Sequence, residues 1–477
     1  MDAGSVEELI LKDITPTPDE EKNTREVAQA LMRRVAEAAR ELELNVEPLL
    51  VGSVAKGTFL RDPDIDLFVM FSPDTPREVL EQQGMALAMK VLPKGIKQYA
   101  EHPYVQGEFH GFDAEIVPCY RISDASQKMS AVDRTPFHTK FIAANLREDQ
   151  KGQVRLLKRF LKGVGAYGAE EAVRGFSGYL AELLVLRYGS FRKALEAGAH
   201  WPESIRLEVE SVAIPVMVGV EAHGLPEGHG QQSRPQAPRG PVTRGEPLIF
   251  IDPVDPTRNV ASALSTEKYT LFIHAAQSYL ASPSRLFFFP NPPTPMPLAK
   301  LRAEARKRGT GLLGIRLRTP EVLPDIYFSQ LRKFERSVRA LCEERGFLVI
   351  HSAFYEVGKE TLFLFEFEVY RLPQVRSHRG PPVGNPREKE FISKWQASSM
   401  RRSAFHIIDG LWAVDVQREF TTPDALIKDK IGSLSLGKNL NEEVKKGFRL
   451  LQGPSLFTKA HALPLTLFFD KRYPWER

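Results

Sequence analysis

The segment from Gly52 to Phe71, GSVAKGTFLRDPDIDLFVMF, constrains the fold more than any other part of the chain. A Gly-Ser turn follows the apolar run 49–51, and a second, mostly apolar run extends from Asp64 to Phe71. Because side chains alternate between the two faces of a strand, Asp64 and Asp66 point to the same face. The pattern predicts a strand that carries two carboxylates at one end, close to the Gly-Ser turn.

This arrangement favours a particular chemistry. Two adjacent carboxylates repel each other unless a cation lies between them. Oxygen ligands suit a hard ion such as Mg²⁺, which also binds phosphate oxygens, and the backbone N–H groups and Ser53 hydroxyl of the turn suit a polyphosphate. The segment therefore indicates a nucleotidyl-transfer site. The less favoured alternative is a solvated turn with acidic residues at the start of a strand.

A second candidate strand, residues 111–118, places Asp113 and Glu115 on one shared face. A third carboxylate on a neighbouring strand is what a two-metal site needs, because one ion must be bridged and the incoming hydroxyl activated. The alternative is an ordinary edge strand whose polar residues face water.

Further along the chain, several side chains have two interpretations. His138 opens a predicted helix, where its residue context favours a helix cap over a phosphate contact. Lys158 and Tyr167 look, in isolation, like a solvated charge and an aromatic residue at the edge of a core. Asp255 and Arg258 are the right types either to contact a base or a phosphate, or to form a buried ion pair.

Length, cysteine content and charge limit the possible domain organisation, compartment and partners. A chain of 477 residues is too long for one ordinary core, so three or four domains are expected. No membrane segment or signal peptide is predicted, and two distant cysteines, Cys119 and Cys342, suit a reducing cytoplasm. The net charge of +5 does not by itself indicate a class of partner. Two basic clusters are either solvated helix faces or contacts for a polyanion: Arg155, Lys158, Arg159 and Lys162; and Arg302, Arg306, Lys307 and Arg308.

The C-terminal half contains three recognisable stretches. Residues 219–245 are rich in Gly, Pro, Gln and His, which predicts a flexible loop with solvated histidines. Residues 311–372 alternate as strand, helix, strand and strand, which resembles a ferredoxin-like or RNA-recognition module without its RNA-stacking motif. Residues 371–387 are rich in Pro and Arg and are expected to form an exposed loop.

A series of short motifs, in this order, carries a resemblance to a known family: GSVAKGT, DID, EIVPCY, AVDRTPFH, RLLK, AYGAE, VRGFSGYL, DPVDPTRNVA, FTTPDAL and SLGKN. Each motif is weak alone, but their collinear order resembles the archaeal class I CCA-adding enzymes (CCA tRNA nucleotidyltransferases). This family belongs to the DNA polymerase β-like nucleotidyltransferase superfamily.

The resemblance implies a multidomain α+β fold. The catalytic head, residues 1–150, would be a polymerase β-like mixed sheet with helices. A helical, nucleotide-selecting neck would follow in residues 151–275. An α+β body would be formed by residues 276–310 and 420–477, and residues 311–419 would form a ferredoxin-like tail that contacts tRNA.

The resemblance also implies an activity: addition of C, C and A to the tRNA 3′ end from CTP and ATP, without a nucleic-acid template, and repair of damaged CCA ends. The tRNA 3′-hydroxyl would attack the nucleotide α-phosphate with the help of Mg²⁺, releasing pyrophosphate. The acceptor and TΨC arms of tRNA would be the contact regions. Family members are often dimeric, so a homodimer is one expected state.

Site residues follow from the same motifs. Asp64, Asp66 and Glu115 would be the catalytic, metal-binding carboxylates. The residues around the nucleotide would be Ser53, Lys56, His138, Lys158, Tyr167 and Arg258. The family usually has Asp at the position of Glu115 and often Glu at that of Asp64, so Asp113 stays an alternative third ligand.

Three other functions stay open. A poly(A)- or poly(U)-type polymerase of the same superfamily would make long tails instead of three additions. A tRNA-binding protein with an inactive site would show no Mg²⁺-dependent turnover. A structural scaffold would not need two aspartates beside a Gly-Ser turn.

Overall fold

The computed structural model describes residues 3–99, 103–210 and 246–477. The predicted loop 219–245, with His223 and His229, lies outside these described residues. Within the described ranges, none of the helices combines the length and the apolar character that a membrane crossing needs.

The chain forms two compact units. The N-terminal unit consists of Met1–Pro292 and Arg472–Arg477, and the second unit consists of Pro293–Lys471. The helices and strands of the N-terminal unit are, in chain order, α1 (Ala3–Ile14), α2 (Pro18–Glu41), β1 (Glu47–Leu50), α3 (Gly52–Lys56), β2 (Ile65–Phe71), α4 (Arg77–Val91), β3 (Ile96–Tyr99), β4 (Pro103–Phe109), β5 (Phe112–Tyr120), α5 (Thr135–Asn145), α6 (Glu148–Val164), α7 (Gly178–Tyr188), α8 (Phe191–Gly198), β6 (Ile205–Leu207), β7 (Leu248–Phe250) and α9 (Thr266–Ala281).

A five-stranded sheet in the order β1-β2-β5-β4-β3 forms the first part of the N-terminal unit. The central pair β2–β5 is parallel, and β1–β2, β5–β4 and β4–β3 are antiparallel. Helix α2 begins with a capping box, in which Thr17 accepts from the Glu20 N–H and Glu20 accepts from the Thr17 N–H. Its apolar face packs on the sheet core through Val27, Leu31 and Val35.

Helices α5 to α9 form the second part of this unit around an aromatic core. Phe160 on α6 lies within 6 Å of the rings of Phe191, Tyr279, Phe287 and Phe288. Such edge-to-face and stacked pairs add to the burial of large apolar area. The rigid support of α6 and α7 matters because both helices carry side chains to the candidate site.

The second unit also contains both helices and strands. Its elements are α10 (Leu298–Arg308), β8 (Gly311–Arg318), α11 (Pro324–Glu344), β9 (Val349–Val357), β10 (Glu360–Phe367), β11 (Val375–Pro382), α12 (Glu388–Gln396), β12 (His406–Ile408), β13 (Leu411–Gln417), α13 (Pro423–Lys430), α14 (Lys438–Lys446), β14 (Arg449–Leu451), α15 (Gly453–Leu456) and α16 (Ala462–Phe469).

Two sheets organise the second unit. Strands β14-β8-β10-β9 form an antiparallel sheet, and β11-β13-β12 form a smaller antiparallel sheet. Helix α11 packs on the larger sheet through Leu331, Phe334 and Val338. The order β8, α11, β9, β10 is the strand–helix–strand–strand unit that the sequence predicted. Strand β14, which was not predicted, joins this sheet beside β8 and completes a ferredoxin-like strand order.

The predicted mixed α+β fold class is therefore confirmed, with two local corrections. Strand β5 lies between β2 and β4, so the edge-strand interpretation of residues 111–118 is wrong. The stretch 371–387, expected as a loop, contains strand β11, because its backbone pairs with β13 in the smaller sheet. The division into head, neck, body and tail stays a prediction.

Candidate active site

The paired strands β2 and β5 bring four acidic residues together. Asp66 lies directly opposite Glu115 in the parallel register, and Ile65 lies opposite Ala114. Asp64 immediately precedes β2, so the same register places it at the level of Asp113. The two Asp-x-Asp/Glu patterns of the sequence thus meet on one face at one end of the sheet.

The pKa values of these acids are raised by burial and, after it, by their mutual repulsion. Burial, followed by the charge of Asp64, raises the pKa of Asp66 to about 6. Burial and the charges of Asp66, Asp64 and Asp113 raise the pKa of Glu115 to about 7. Desolvation and the charge of Asp113 also raise the pKa of Asp64. A cation at this face would relieve the repulsion.

Glu115 and Asp113 differ in their surroundings. Glu115 is half-buried and lies opposite Asp66 in the β2–β5 register, whereas Asp113 is exposed. Among the charged neighbours, Asp66 has the largest effect on the pKa of Glu115. This geometry favours Glu115 as the third carboxylate.

The donor set suits a hard divalent cation. Within the described ranges, no group of three or more His, Cys, Asp or Glu side chains is placed to hold a metal ion, these acids included. Mg²⁺ at nucleotide sites is held by one or two carboxylates, together with substrate phosphates and water. Asp64, Asp66 and Glu115 offer only oxygen atoms and repel one another, so they fit Mg²⁺ that binds together with a nucleotide.

The Gly-Ser turn touches this acidic face directly. Gly52 begins α3 with a φ of +70°, and a Cβ atom added to it would lie 1.8 Å from Oδ2 of Asp66. The Val51 N–H donates to the Asp66 carbonyl at 3.0 Å, which fixes the turn against β2. Ser53, the next residue, is half-buried. Glycine is required at position 52 both by its backbone conformation and by the close approach of Asp66.

We therefore expect Gly52→Ala to displace the Asp66 carboxylate and to lower turnover about a hundredfold, the effect of a misplacement of about 1 Å. Gly165→Ala is the matched control, because Gly165 has a φ of +75° but no atom within 4 Å of an added Cβ. Both variants carry left-handed backbone strain, and only the first disturbs Asp66. Steady-state turnover is measured for both variants. An equal loss of turnover in the two variants would contradict this expectation.

A buried ion-pair network lies beside the turn. Glu182 on α7 is fully buried and accepts from Lys56 at 2.6 Å, from Lys158 at 2.9 Å and from the Thr58 hydroxyl at 2.6 Å. Burial alone would raise the pKa of Glu182, but Lys158 and Lys56 lower it to about 2. Burial lowers the pKa of Lys56. Two ammonium groups share one carboxylate, so the network keeps a net positive charge.

Helix α6 holds the turn in place from the other side. Arg155 is buried and donates to the carbonyls of Gly57 and Phe59, both at 2.9 Å. Lys158 donates to Oγ1 of Thr58 at 3.1 Å. The solvated-charge interpretation of Lys158 is wrong, because its side chain is only 4% exposed.

Tyr167 follows α6 and lies close to the same network. A Cβ atom added to Gly178 would lie 2.9 Å from the Tyr167 hydroxyl and 3.7 Å from Cε of Lys158. The side chains of Tyr167 and Lys158 therefore both approach Gly178. The Lys162 ammonium lies 5.2 Å from the Tyr167 ring centre, a cation–π distance. Burial and the charge of Glu182 raise the pKa of Tyr167.

A second polar cluster is centred on Asp252. It accepts from Nε2 of His138 at 2.8 Å, from Arg258 at 3.0 Å and from the Tyr179 hydroxyl at 3.2 Å. The rings of His138 and Tyr179 stack with centres 4.1 Å apart. Burial alone would raise the pKa of Asp252, but the hydrogen bond from His138 and the charge of Arg258 lower it. Burial also lowers the pKa of His138.

These contacts revise two interpretations. His138 does not cap α5, because it lies within the helix and hydrogen-bonds Asp252. Asp255 and Arg258 are both in ion pairs but not with each other: Asp255 binds Lys128 at 2.6 Å and Arg134 at 3.0 Å, while Arg258 binds Asp252. Arg258 keeps 30% of its side chain exposed, so it retains an accessible face.

The sequence reasoning missed Glu182 and Asp252. The signal for Glu182 is its position as the single acidic residue in the mostly apolar helix GYLAELLVLRY, since a buried acid needs partners. Asp252 is the first aspartate of DPVDP and follows the buried strand β7. Its role depends on contacts with α5 and α7, which lie far away in the sequence.

Three family models match consecutive parts of the chain. Residues 32–138 match the nucleotidyltransferase domain, residues 152–289 match the second domain of tRNA nucleotidyltransferase, and residues 308–453 match the C-terminal domain of the CCA-adding enzyme. The four acids, the Gly-Ser turn and His138 lie within the first match.

Curated relatives align over nearly the whole chain. The CCA-adding enzyme of Haloarcula marismortui is 36% identical over 96% of this chain and 96% of its own length. That of Methanosarcina barkeri is 35% identical over 95% of each chain. Among solved structures, the Cid1 poly(U) polymerase has a TM-score of 0.43 at 14% identity, over 59% of this chain and 96% of that chain, a likeness too weak to carry a conclusion. The full-length matches show that the chain belongs to the CCA-adding enzyme family of tRNA nucleotidyltransferases.

Proposed function

We propose that the protein adds C, C and A in turn to the 3′ end of tRNA, using CTP and ATP, and that it rebuilds damaged CCA ends. The observation that carries this proposal is the acidic face of β2 and β5, which lies against the Gly-Ser turn in a chain of this family. Negative charge for a metal ion and positive charge for a polyphosphate are thus placed side by side.

Asp64, Asp66 and Glu115 have the catalytic role in this proposal. They would hold Mg²⁺, which when bound activates the tRNA 3′-hydroxyl and neutralises the charge that develops on pyrophosphate. Asp66 is the central member because it lies opposite Glu115 and against Gly52. Its position fixes the acidic face relative to the turn.

The remaining site residues would bind the nucleotide. Ser53 and Lys56 on α3 and Lys158 on α6 would attract the triphosphate, because the lysine pair keeps a net positive charge after Glu182 is counted. Both lysines are ordered by hydrogen bonds to Glu182. Tyr167 lies beside this network.

His138 and Arg258 would line the nucleotide at the second cluster. Asp252 orients both side chains through hydrogen bonds, and the exposed part of Arg258 is available to a base edge or a phosphate. Tyr179 supports the His138 ring by stacking. The cluster would therefore present a fixed donor surface to the nucleotide.

The raised pKa values of the acidic face predict a pH dependence. Metal ligands must be deprotonated, so Mg²⁺ binding weakens as the pH falls through the pKa of Glu115, about 7, and then that of Asp66, about 6. We expect the Mg²⁺ concentration for half-maximal activity to rise roughly tenfold between about pH 7.5 and about pH 6. Mg²⁺ titrations at fixed CTP check this, and a pH-independent midpoint would contradict the assignment.

The activity is tested with a tRNA that lacks its terminal CCA, incubated with the protein, Mg²⁺ and CTP, with or without ATP. Products are resolved on a gel of single-nucleotide resolution. We expect two additions with CTP alone, three with CTP and ATP, and none beyond. A tRNA that already ends in CCA is the control and should not be extended.

Other products would favour the alternatives. Long homopolymer tails on the same tRNA would indicate a poly(A)- or poly(U)-type polymerase. Retained tRNA binding without Mg²⁺-dependent products would indicate a tRNA-binding protein with an inactive site. Either result would overturn the proposed function.

The domain roles are part of the proposal. Residues 1–150 would form the catalytic head and residues 151–275 the nucleotide-selecting neck. Residues 276–310 and 420–477 would form the body. The tail, residues 311–419, would contact the TΨC arm of tRNA while the acceptor end enters the catalytic site. The homodimer and the cytoplasmic location stay predictions from the sequence.

A further inference from the structure

A cavity in the second unit lies far from the acidic residues in sequence and has a different chemistry. It has a volume of about 180 Å³ and lies beside the small sheet β11-β13-β12, helix α12 and the turn that follows α11. Three arginines, Arg345, Arg376 and Arg418, line it together with Trp395 and Glu419. All these residues belong to the same compact unit.

The charges around the cavity do not balance. Glu419 is its single acidic lining residue, and it already pairs with Arg345 at 3.1 Å and with Lys430 at 3.5 Å. Within the described part of the chain, neither Arg376 nor Arg418 forms an ion pair with a carboxylate. Burial and the neighbouring charge of Arg376 lower the pKa of the Arg418 guanidinium. Two positive charges are therefore held close together without a counter-ion.

The lining residues also carry unused donors. Nε of Arg345, Nε of Arg418 and Nε1 of Trp395 are buried and have no hydrogen-bond acceptor among the described residues. Nε of Arg345 forms an ion pair with Glu344 at 3.8 Å, which is too long for a hydrogen bond. A buried N–H group without an acceptor costs free energy, so such groups usually have a partner in the functional state. Three of them around one cavity indicate a ligand that only accepts hydrogen bonds.

We propose that this cavity, which we call the arginine pocket (Arg345, Arg376, Trp395 and Arg418), binds a phosphate group. A guanidinium fork and an indole N–H match the oxygens of phosphate, and the excess positive charge excludes a metal cation. The phosphate is supplied either by the backbone of a bound RNA or by a free phosphate anion. The proposal does not depend on the activity of the N-terminal unit.

The first arm of the test uses inorganic phosphate. The full-length protein is titrated at constant ionic strength, and binding is followed calorimetrically. We expect Arg418→Gln and Arg376→Gln to weaken phosphate binding about tenfold, the loss of one charge-assisted hydrogen bond. Trp395→Phe keeps the ring packing but removes the N–H, and we expect it to weaken binding about threefold.

The second arm uses tRNA and measures the affinity as a function of salt. If the pocket holds a backbone phosphate, the slope of log affinity against log salt falls by about one in Arg376→Gln and Arg418→Gln. Arg371→Gln is the matched control, because Arg371 is an exposed arginine of the same unit that does not line the pocket. This control should bind inorganic phosphate as the wild type does, because Arg371 does not line the pocket.

The two arms distinguish the sources. Loss of phosphate binding with an unchanged salt slope identifies a free anion as the ligand, and a reduced slope identifies an RNA phosphate. Wild-type behaviour of Arg376→Gln and Trp395→Phe in both arms overturns the proposal. Because Arg376 is exposed and Trp395→Phe preserves an aromatic ring, the result does not depend on the folding of Arg418→Gln.

Discussion

Asp66→Asn is expected to lower nucleotide incorporation roughly a thousandfold or more while leaving tRNA binding nearly unchanged. The amide has the shape of the carboxylate but cannot neutralise a divalent cation, so several kcal/mol of transition-state stabilisation are lost. Asp66 lies at the centre of the acidic face, opposite Glu115 and against Gly52, and its pKa is raised by burial and by Asp64.

The measurement is single-turnover incorporation of the first C, combined with a binding titration of the same tRNA. Glu108→Gln is the matched control, because Glu108 lies on the neighbouring strand β4, opposite Asp113 instead of Asp66. This control is expected to incorporate C at nearly the wild-type rate. Near-normal incorporation by Asp66→Asn would show that the acidic face is not the catalytic centre.

Glu182→Gln is expected to have the largest effect on stability. The substitution removes the only carboxylate that the structure places between Lys56 and Lys158, so two buried ammonium groups lose their counter-charge. Removing one partner of a buried ion pair costs about 3–5 kcal/mol of unfolding free energy. The Michaelis constant for CTP should rise as well, because repulsion moves both lysines.

Denaturant unfolding, followed by circular dichroism, measures this effect. Glu148→Gln is the matched control, because Glu148 is exposed and binds only Lys151 on the same helix. The pH dependence has a defined sign: the lowered pKa of Glu182, about 2 against an ordinary value of 4.5, stabilises the fold above about pH 4.5. This contribution is lost as the pH falls from there toward 2. An unchanged unfolding midpoint for Glu182→Gln would contradict the network.

Much of strand β2 could be predicted from local patterns. The alternation in residues 64–71 predicted the strand and the shared face of its two aspartates, because side-chain direction on a strand depends only on the neighbouring residues. Helix caps are local features of the same kind: Thr17 and Glu20 form a capping box at the start of α2, and the Ser177 hydroxyl accepts from the Leu180 N–H at the start of α7. Such features need no knowledge of the tertiary fold.

The remaining features depend on contacts between distant segments. Glu182 meets Lys56 across 126 residues, and Asp252 meets His138 across 114 residues, so no local pattern indicates their partners. The central position of β5 depends on its parallel pairing with β2, which a strand pattern alone does not specify. The sequence indicated a solvated Lys158 because charged side chains on helices are usually exposed. Its buried position is explained by its ion pair with the buried Glu182 on α7.

The central claim, that the paired strands β2 and β5 form the catalytic face, is tested most directly by comparing Glu115→Gln with Asp113→Asn. Both variants remove one acid from the same strand, and single-turnover incorporation of the first C is measured at saturating CTP and Mg²⁺. We predict a loss of roughly a thousandfold for Glu115→Gln, and a rate close to wild type for Asp113→Asn, because Asp113 is exposed whereas Glu115 is half-buried opposite Asp66. A normal rate for Glu115→Gln with a large loss for Asp113→Asn would contradict this assignment of the site.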